Sequence, residues 1–235
     1  MNDILEKIVS VGFPPNQYYR KITNKKQIVL HHCVSGKGVT GDIDWWIQTP
    51  EKVAAHIIID RWGTPFQTYS SRYFAHHLGV KQKTLRQEGF LDYRTRNLKL
   101  NKASIAIEID SWGPLIKENN FWYPVKWSKW SKKYVARINL KSIPKHKIEF
   151  YPNGFREFYA FEKYTNAQIE TLKQLLLYWN KKYYIPLTYN EKMFEYNLDA
   201  IAGIPGIWSH VSYRRDKSDC HPQLELINML KSLKI

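Results

Sequence analysis

Cysteine is nearly absent: Cys33 and Cys220 are the only two in 235 residues, which excludes a disulfide-built scaffold and leaves both thiols free in a reducing compartment. No window approaches the roughly 20 apolar residues of a membrane span, so no transmembrane helix is expected. The first twenty residues, MNDILEKIVSVGFPPNQYYR, place Asp3 and Glu6 where a secretory leader carries basic residues, and no uninterrupted apolar run follows. Synthesis in the cytoplasm without a signal peptide is expected. Internal repeats and low-complexity linkers are also missing, which argues against an array or a tethered second domain. Acidic residues are scarce, 21 against 36 Lys and Arg, for a formal charge of +15. That balance favours polyanions such as nucleic acid, anionic lipid or anionic envelope polymers. The lysines are scattered and form no dense block, so general surface attraction is expected rather than a specific nucleic-acid groove.

Apolar residues, 43% of the chain, are spread along it, which suits one packed core in a chain of this length. Residues 2–10 have helical apolar spacing, ended by Gly12 to Pro15. Gln27 to Cys33 (QIVLHHC) reads as a buried strand that ends on His31 and His32 and passes into a glycine-rich loop, SGKGVTGD. Residues 53–60 (VAAHIIID) read as a second strand, turning at Arg61-Trp62-Gly63 into Pro65 to Tyr69 as a hairpin. Ser104 to Asp110 (SIAIEID) is a third, with Glu108 among apolar neighbours. Thr165 to Lys182 is the clearest helix: Thr165 and Gln168 form a capping box, and Ile169, Leu172, Leu176 and Trp179 share one face. Pro205-Gly206 leads into IWSHVSY, and Pro222 is placed to open a last helix through Leu233. About residues 111–164 the chain is crowded with Trp, Tyr, Phe and Lys without helical period, and reads as a strand-rich insertion.

A hydrolytic zinc site needs three protein ligands and one open position. Two histidines and a carboxylate suffice, and the candidates are His31 at a strand end, His210 in IWSHVSY and Asp219 in KSDCHP. Hydrolysis at such a site further needs a proton carrier and a group to stabilise the negative charge that develops on the attacked oxygen. Each cysteine lies in one of these same segments, beside a histidine.

Five segments, IVLHHC, VAAHIIIDRWGTPFQ, FAHHLG, SIAIEID and SHVSYRRDKSDCHP, spanning Ile28 to Pro222, resemble in order the N-acetylmuramoyl-L-alanine amidases, a family that includes phage amidase lysozymes, muropeptide-recycling amidases and peptidoglycan recognition proteins. The resemblance implies an α/β single domain with a central mixed sheet flanked by helices, the 111–164 insertion within it, and no separate wall-binding domain. It implies Zn2+ held by His31, His210 and Asp219. Adjacent His32 and Cys220 compete with the outer two ligands, since neighbouring strand residues face opposite ways and thiolate also binds zinc. Glu108 corresponds to the family's glutamate and Lys217 to its cationic residue near the scissile carbonyl. Some members carry a catalytic tyrosine where this chain has Ala55, which places more weight on Glu108. His77 corresponds to a histidine that binds substrate or assists the transition state, with His76 in place of an aromatic residue. His56 reads as a buried, hydrogen-bonded structural residue.

The expected activity is cleavage of peptidoglycan between N-acetylmuramic acid and L-alanine by a phage-type lytic enzyme, made in the cytoplasm and acting on the wall after release, with its positive charge favouring anionic wall polymers. A recycling amidase acting on soluble muropeptides has the same site residues. A non-catalytic peptidoglycan-binding module and a nucleic-acid-binding protein are the other classes; the full ligand set argues against the first and the scattered lysines against the second. The aromatic insertion reads either as one wall of the substrate groove or as a small core of its own.

Overall fold

The computed structural model describes residues 3–34 and 38–233. In chain order the strands are β1 (Val9–Ser10), β2 (Gln27–His32), β3 (Ile57–Ile59), β4 (Pro65–Gln67), β5 (Ser104–Ile109), β6 (Leu115–Glu118), β7 (Phe121–Ser128), β8 (Lys133–Ala136), β9 (Ile148–Phe155), β10 (Phe158–Glu162) and β11 (Gly206–Ser209). The helices are α1 (Asp3–Lys7), α2 (Gly38–Gln48), α3 (Gln82–Gln87), α4 (Arg96–Ala103), α5 (Asn166–Tyr183), α6 (Leu198–Ala202) and α7 (Leu224–Ser232).

Six strands form a central mixed sheet in the order β1-β4-β3-β5-β2-β11. β3, β5, β2 and β11 run parallel, and β4 returns antiparallel to β3 as the expected hairpin. Parallel strands buried on both faces read as apolar runs, and Ile28, Val29, Leu30, Ile105, Ala106 and Ile107 are all fully buried. Alternation divides them. Ile57, Ile59, Ile105, Ile107 and Ile109 pack with Leu172, Leu176 and Trp179 of α5 and Leu226 and Leu230 of α7. Ile58 and Ala106 join a second core with Val39 and Trp46 of α2 and with Tyr18 and Tyr69. Each fully buried isoleucine contributes roughly 1.5–3 kcal/mol. The Thr165 capping box forms as expected and fixes the start of α5.

Four local expectations change. The first helix ends at Lys7, and Val9–Ser10 instead pairs with β4 at the sheet edge. Of the expected loop SGKGVTGD, Ser35 to Lys37 lie outside the described residues, while Gly38 onward is helical because Val39 and Trp46, one face apart by seven residues, bury against the second core. Only Ile57–Ile59 of VAAHIIID is strand. The last helix begins at Leu224 after Gln223, two residues past Pro222.

The 111–164 segment is strand-rich as expected. β6, β7 and β8 form an antiparallel sheet and β9 and β10 a hairpin. Two small cores hold them, one around Leu115, Ile148 and Ala160, the other around Val125, Phe158 and Phe161.

Candidate active site

Parallel strands end on a common rim, and in open α/β sheets that rim is where ligands bind. His31 is near the end of β2, Glu108 near the end of β5, and His210 follows β11 directly. His31 and Glu108 are register partners, so both project from the same face, the one toward α2. The loop after His210 folds back, its Asp219 carbonyl accepting from the Val211 N–H at 3.0 Å. His31, His210 and Asp219 are all buried, and one candidate ligand atom from each lies within 4.8 Å of the others.

Hydrogen bonding fixes which atoms these are. The His210 Nε2–H donates to the Leu78 carbonyl at 2.9 Å, which leaves Nδ1 without a proton. Ser104 donates its hydroxyl to the Leu100 carbonyl at 2.8 Å, so its Oγ accepts from the His77 Nε2–H at 2.7 Å. His77 Nδ1 is then an acceptor and takes the His31 Nε2–H at 3.0 Å. His31 Nδ1 is therefore also bare. Two unprotonated nitrogens stand 3.0 Å apart, with Asp219 Oδ2 at 2.8 Å from one and 3.3 Å from the other. Three acceptors converging without a hydrogen repel one another unless a cation lies among them, and two imidazoles with one carboxylate are the donor set zinc takes.

The electrostatics agree. Burial lowers His31 to about 4, so it stays neutral and competent as a ligand. The Asp219 carboxyl lies well below the ordinary carboxylate range, with Lys217 among the groups that lower it against the cost of burial, so it is an ionised acceptor. Glu108 is held well above that range by burial and then by Asp219 and Asp42. Its Oε2 is buried with no hydrogen-bond partner among the described residues. Glu108, Lys217 and Asp42 line one pocket of about 270 Å3 with His31, His210 and Asp219.

The competing neighbours lie apart from this cluster. Tyr164 donates to His32 Nδ1 at 2.8 Å, and its oxygen accepts from Cys220 Sγ at 2.8 Å and the His221 N–H at 3.1 Å. His32 packs so tightly there that a Cβ on Gly113, itself at φ +64°, would fall 2.5 Å from His32 Nε2. His56 is fully buried and satisfied, Nδ1 accepting from the Ala106 N–H at 3.0 Å and Nε2 donating to the Tyr73 carbonyl at 3.1 Å. His77, expected at the substrate, has both ring nitrogens engaged by His31 and Ser104. Sequence reasoning missed Ser104 and Asp42. The first sits at the head of the glutamate strand, where a lone hydroxyl before an apolar run was the available signal; Asp42 lay within the stretch read as a loop.

Two histidines and a carboxylate on one rim, with a second carboxyl and an ammonium in the same pocket, make up the equipment of a metal-dependent hydrolase. The chain belongs to the N-acetylmuramoyl-L-alanine amidase family, whose model matches residues 21–222. Members of that family are generally zinc-dependent. Among solved structures it is similar to the N-acetylmuramoyl-L-alanine amidase LysC from Clostridium intestinale, at 14% identity over 97% of each chain with a TM-score of 0.50. It is also similar to PlyL, at 13% identity over 97% of this chain and 99% of that one, with a TM-score of 0.48. At 14% identity the likeness to LysC is one of fold. No curated protein sequence matches the chain.

Proposed function

We propose that this amidase is a lytic zinc enzyme in which His31, His210 and Asp219 hold the metal, Glu108 carries the proton and Lys217 stabilises the oxyanion. The observation that supports it most is the convergence of three proton-free acceptors, enforced by the two hydrogen-bonded histidine rings behind them. When bound, zinc supplies Lewis acidity toward the lactyl carbonyl and a water. Glu108 removes the proton from the attacking water and returns it to the alanine nitrogen as the carbon–nitrogen bond breaks, a role usually contributing about 10²–10⁴ in rate. Its unpartnered Oε2 and raised pKa suit a group that must hold a proton between those two events. Lys217 sets a positive charge beside the developing oxyanion, where losing a donor costs about 10²–10³. His77 serves by holding the His31 ring.

The substrate is peptidoglycan rather than soluble fragments, and the +15 charge draws the protein to anionic wall polymers. The chain acts as one catalytic domain with residues 111–164 inserted in it, and reaches the wall after release from the cytoplasm. No helix among the described residues is long and apolar enough to cross a membrane.

Mass spectrometry of digested sacculi tests the bond: free lactyl ends together with new N-terminal alanine are expected, and sugar or peptide fragmentation elsewhere refutes the assignment. Elemental analysis should give about one zinc per active chain, matching the one ligand cluster among the described residues; an active metal-free preparation rejects the metal. Rapid turnover of muropeptides with none of sacculi rejects the lytic role.

A further inference from the structure

Between its three-stranded sheet and the β9–β10 hairpin, the insertion encloses a hollow of about 540 Å3 lined by Trp122, Trp127, Tyr134, Phe158 and Tyr159. Trp127 is 54% and Tyr159 63% exposed, large rings turned to water where the two small cores of the insertion do not need them. Their arrangement is built. Trp127 and Tyr134 are cross-strand partners on β7 and β8, meeting edge to face at 5.1 Å, and Tyr134 meets Phe158 the same way at 5.1 Å. Such contacts fix ring orientation as well as position. Around the rings stand Lys117, Lys132 and Lys133 against one carboxylate, Glu157.

The hollow is continuous with the candidate active site. A second hollow of about 470 Å3 shares Trp127, Tyr134 and Phe158 with the first and Lys217 and Asp219 with the metal pocket. The two hollows fall within the range of roughly 300–1,000 Å3 typical of small-ligand sites, which pair apolar walls with a few polar groups. A sugar ring matches that lining, since its C–H face is apolar and its hydroxyl edge seeks donors such as lysine. The substrate of the adjoining pocket carries a glycan strand that must leave the reaction centre along some wall, and this is the wall that meets it.

We propose that the aromatic trough of the insertion is a glycan subsite. It holds sugar units on the strand that flank the muramoyl residue being cut, and it makes polymeric wall a better substrate than an isolated muropeptide. The proposal rests on the amidase reading of the metal pocket.

The test uses the zinc-loaded protein. Peptide-free glycan strands are titrated against tryptophan fluorescence, and hydrolysis is compared on a muramoyl-peptide without any flanking sugar and on intact sacculi. Wild type should bind strands saturably and favour the polymer. Trp127→Ala should lose about tenfold in strand affinity and the polymer preference, with turnover of the muramoyl-peptide, which has no sugar to place in the trough, unchanged within about twofold and an unaltered melting temperature; Trp127→Phe should restore most of both. Unchanged strand affinity in Trp127→Ala, equal losses on both substrates, or tighter binding of a single-stranded oligonucleotide at the same rings overturns the proposal. A wild type that exposes no new N-terminal alanine on either substrate refutes the amidase reading instead, and the strand titration still decides the trough.

Discussion

Replacing His77 with alanine separates a substrate contact from a support for the metal ligand. The native ring passes a hydrogen bond from His31 Nε2 at 3.0 Å to Ser104 Oγ at 2.7 Å, and Ser104 ends the relay on the Leu100 carbonyl. Without it the His31 Nε2–H loses its acceptor, and the ring can take the other tautomer, whose Nδ1 proton must be displaced before a metal enters. Leaving a buried donor unmet costs about 1–3 kcal/mol. Disrupting such a support typically weakens metal affinity about 10–100-fold, or about 1.4–2.7 kcal/mol, so the two routes agree. Competition with a chromophoric chelator measures the loss directly, and steady-state kinetics at saturating zinc should show KM nearly unchanged. His77→Asn, whose amide oxygen can approximate the Nδ1 position, should recover part of the affinity. Zinc binding within about twofold of wild type, together with a raised KM, would refute the relay and return His77 to the substrate.

Glu108→Gln should keep stoichiometric zinc and lose about 10²–10⁴ in kcat, since the amide fills the same space and carries no exchangeable carboxyl proton; loss of zinc would show that it supports the ligands instead. Asp42→Asn removes one of the charges that raise Glu108, so the Glu108 carboxylate forms more easily and the acidic limb of the kcat/KM profile should move to lower pH, whereas an upward or absent shift counts against the pairing. Burial lowers His32 to about 4 from an ordinary 6.5, so below pH 6.5 the unfolded chain takes up a proton that the folded chain does not. Its contribution is intact above that pH and should be lost progressively toward pH 4, about 3 kcal/mol in all; urea midpoints of metal-free protein that stay flat over this window would contradict it.

What could be seen in the chain beforehand depended on whether local spacing or tertiary contact set the outcome. β2 and β5 were legible because short apolar runs end abruptly on His31-His32 and Glu108-Ile109-Asp110, and α5 because its cap and its apolar face lie within one segment. α2 was not: Gly38 and Gly41 lower helical propensity, and the helix exists where Val39 and Trp46 find a second core. In α3 only Leu85 is buried, too little for a period to show. At the site, the ligand candidates were legible in family order, but Asp42 and the Leu78 carbonyl have no local mark and Ser104 has only its lone hydroxyl before the apolar run, because they meet the cluster only after the strands have assembled.

The two adjacent pairs show how the sheet assigns unlike tasks to neighbours. His31 faces α2 and the acceptor cluster, while His32 faces Tyr164 on the other side. The same division continues on the returning loop, where Asp219 meets His210 and Cys220 meets Tyr164. Burial raises the Cys220 thiol far above its ordinary value, so at neutral pH it is an S–H donor, and a thiol is a poor zinc ligand until it ionises. Tyr164 thereby clamps the residues on either side of the divide: it binds His32 beside one ligand and Cys220 and His221 just past another. The residues next to two of the proposed metal ligands are thus held from the opposite face, by a phenol that bonds to His32, Cys220 and the His221 N–H and stands outside the acceptor cluster itself.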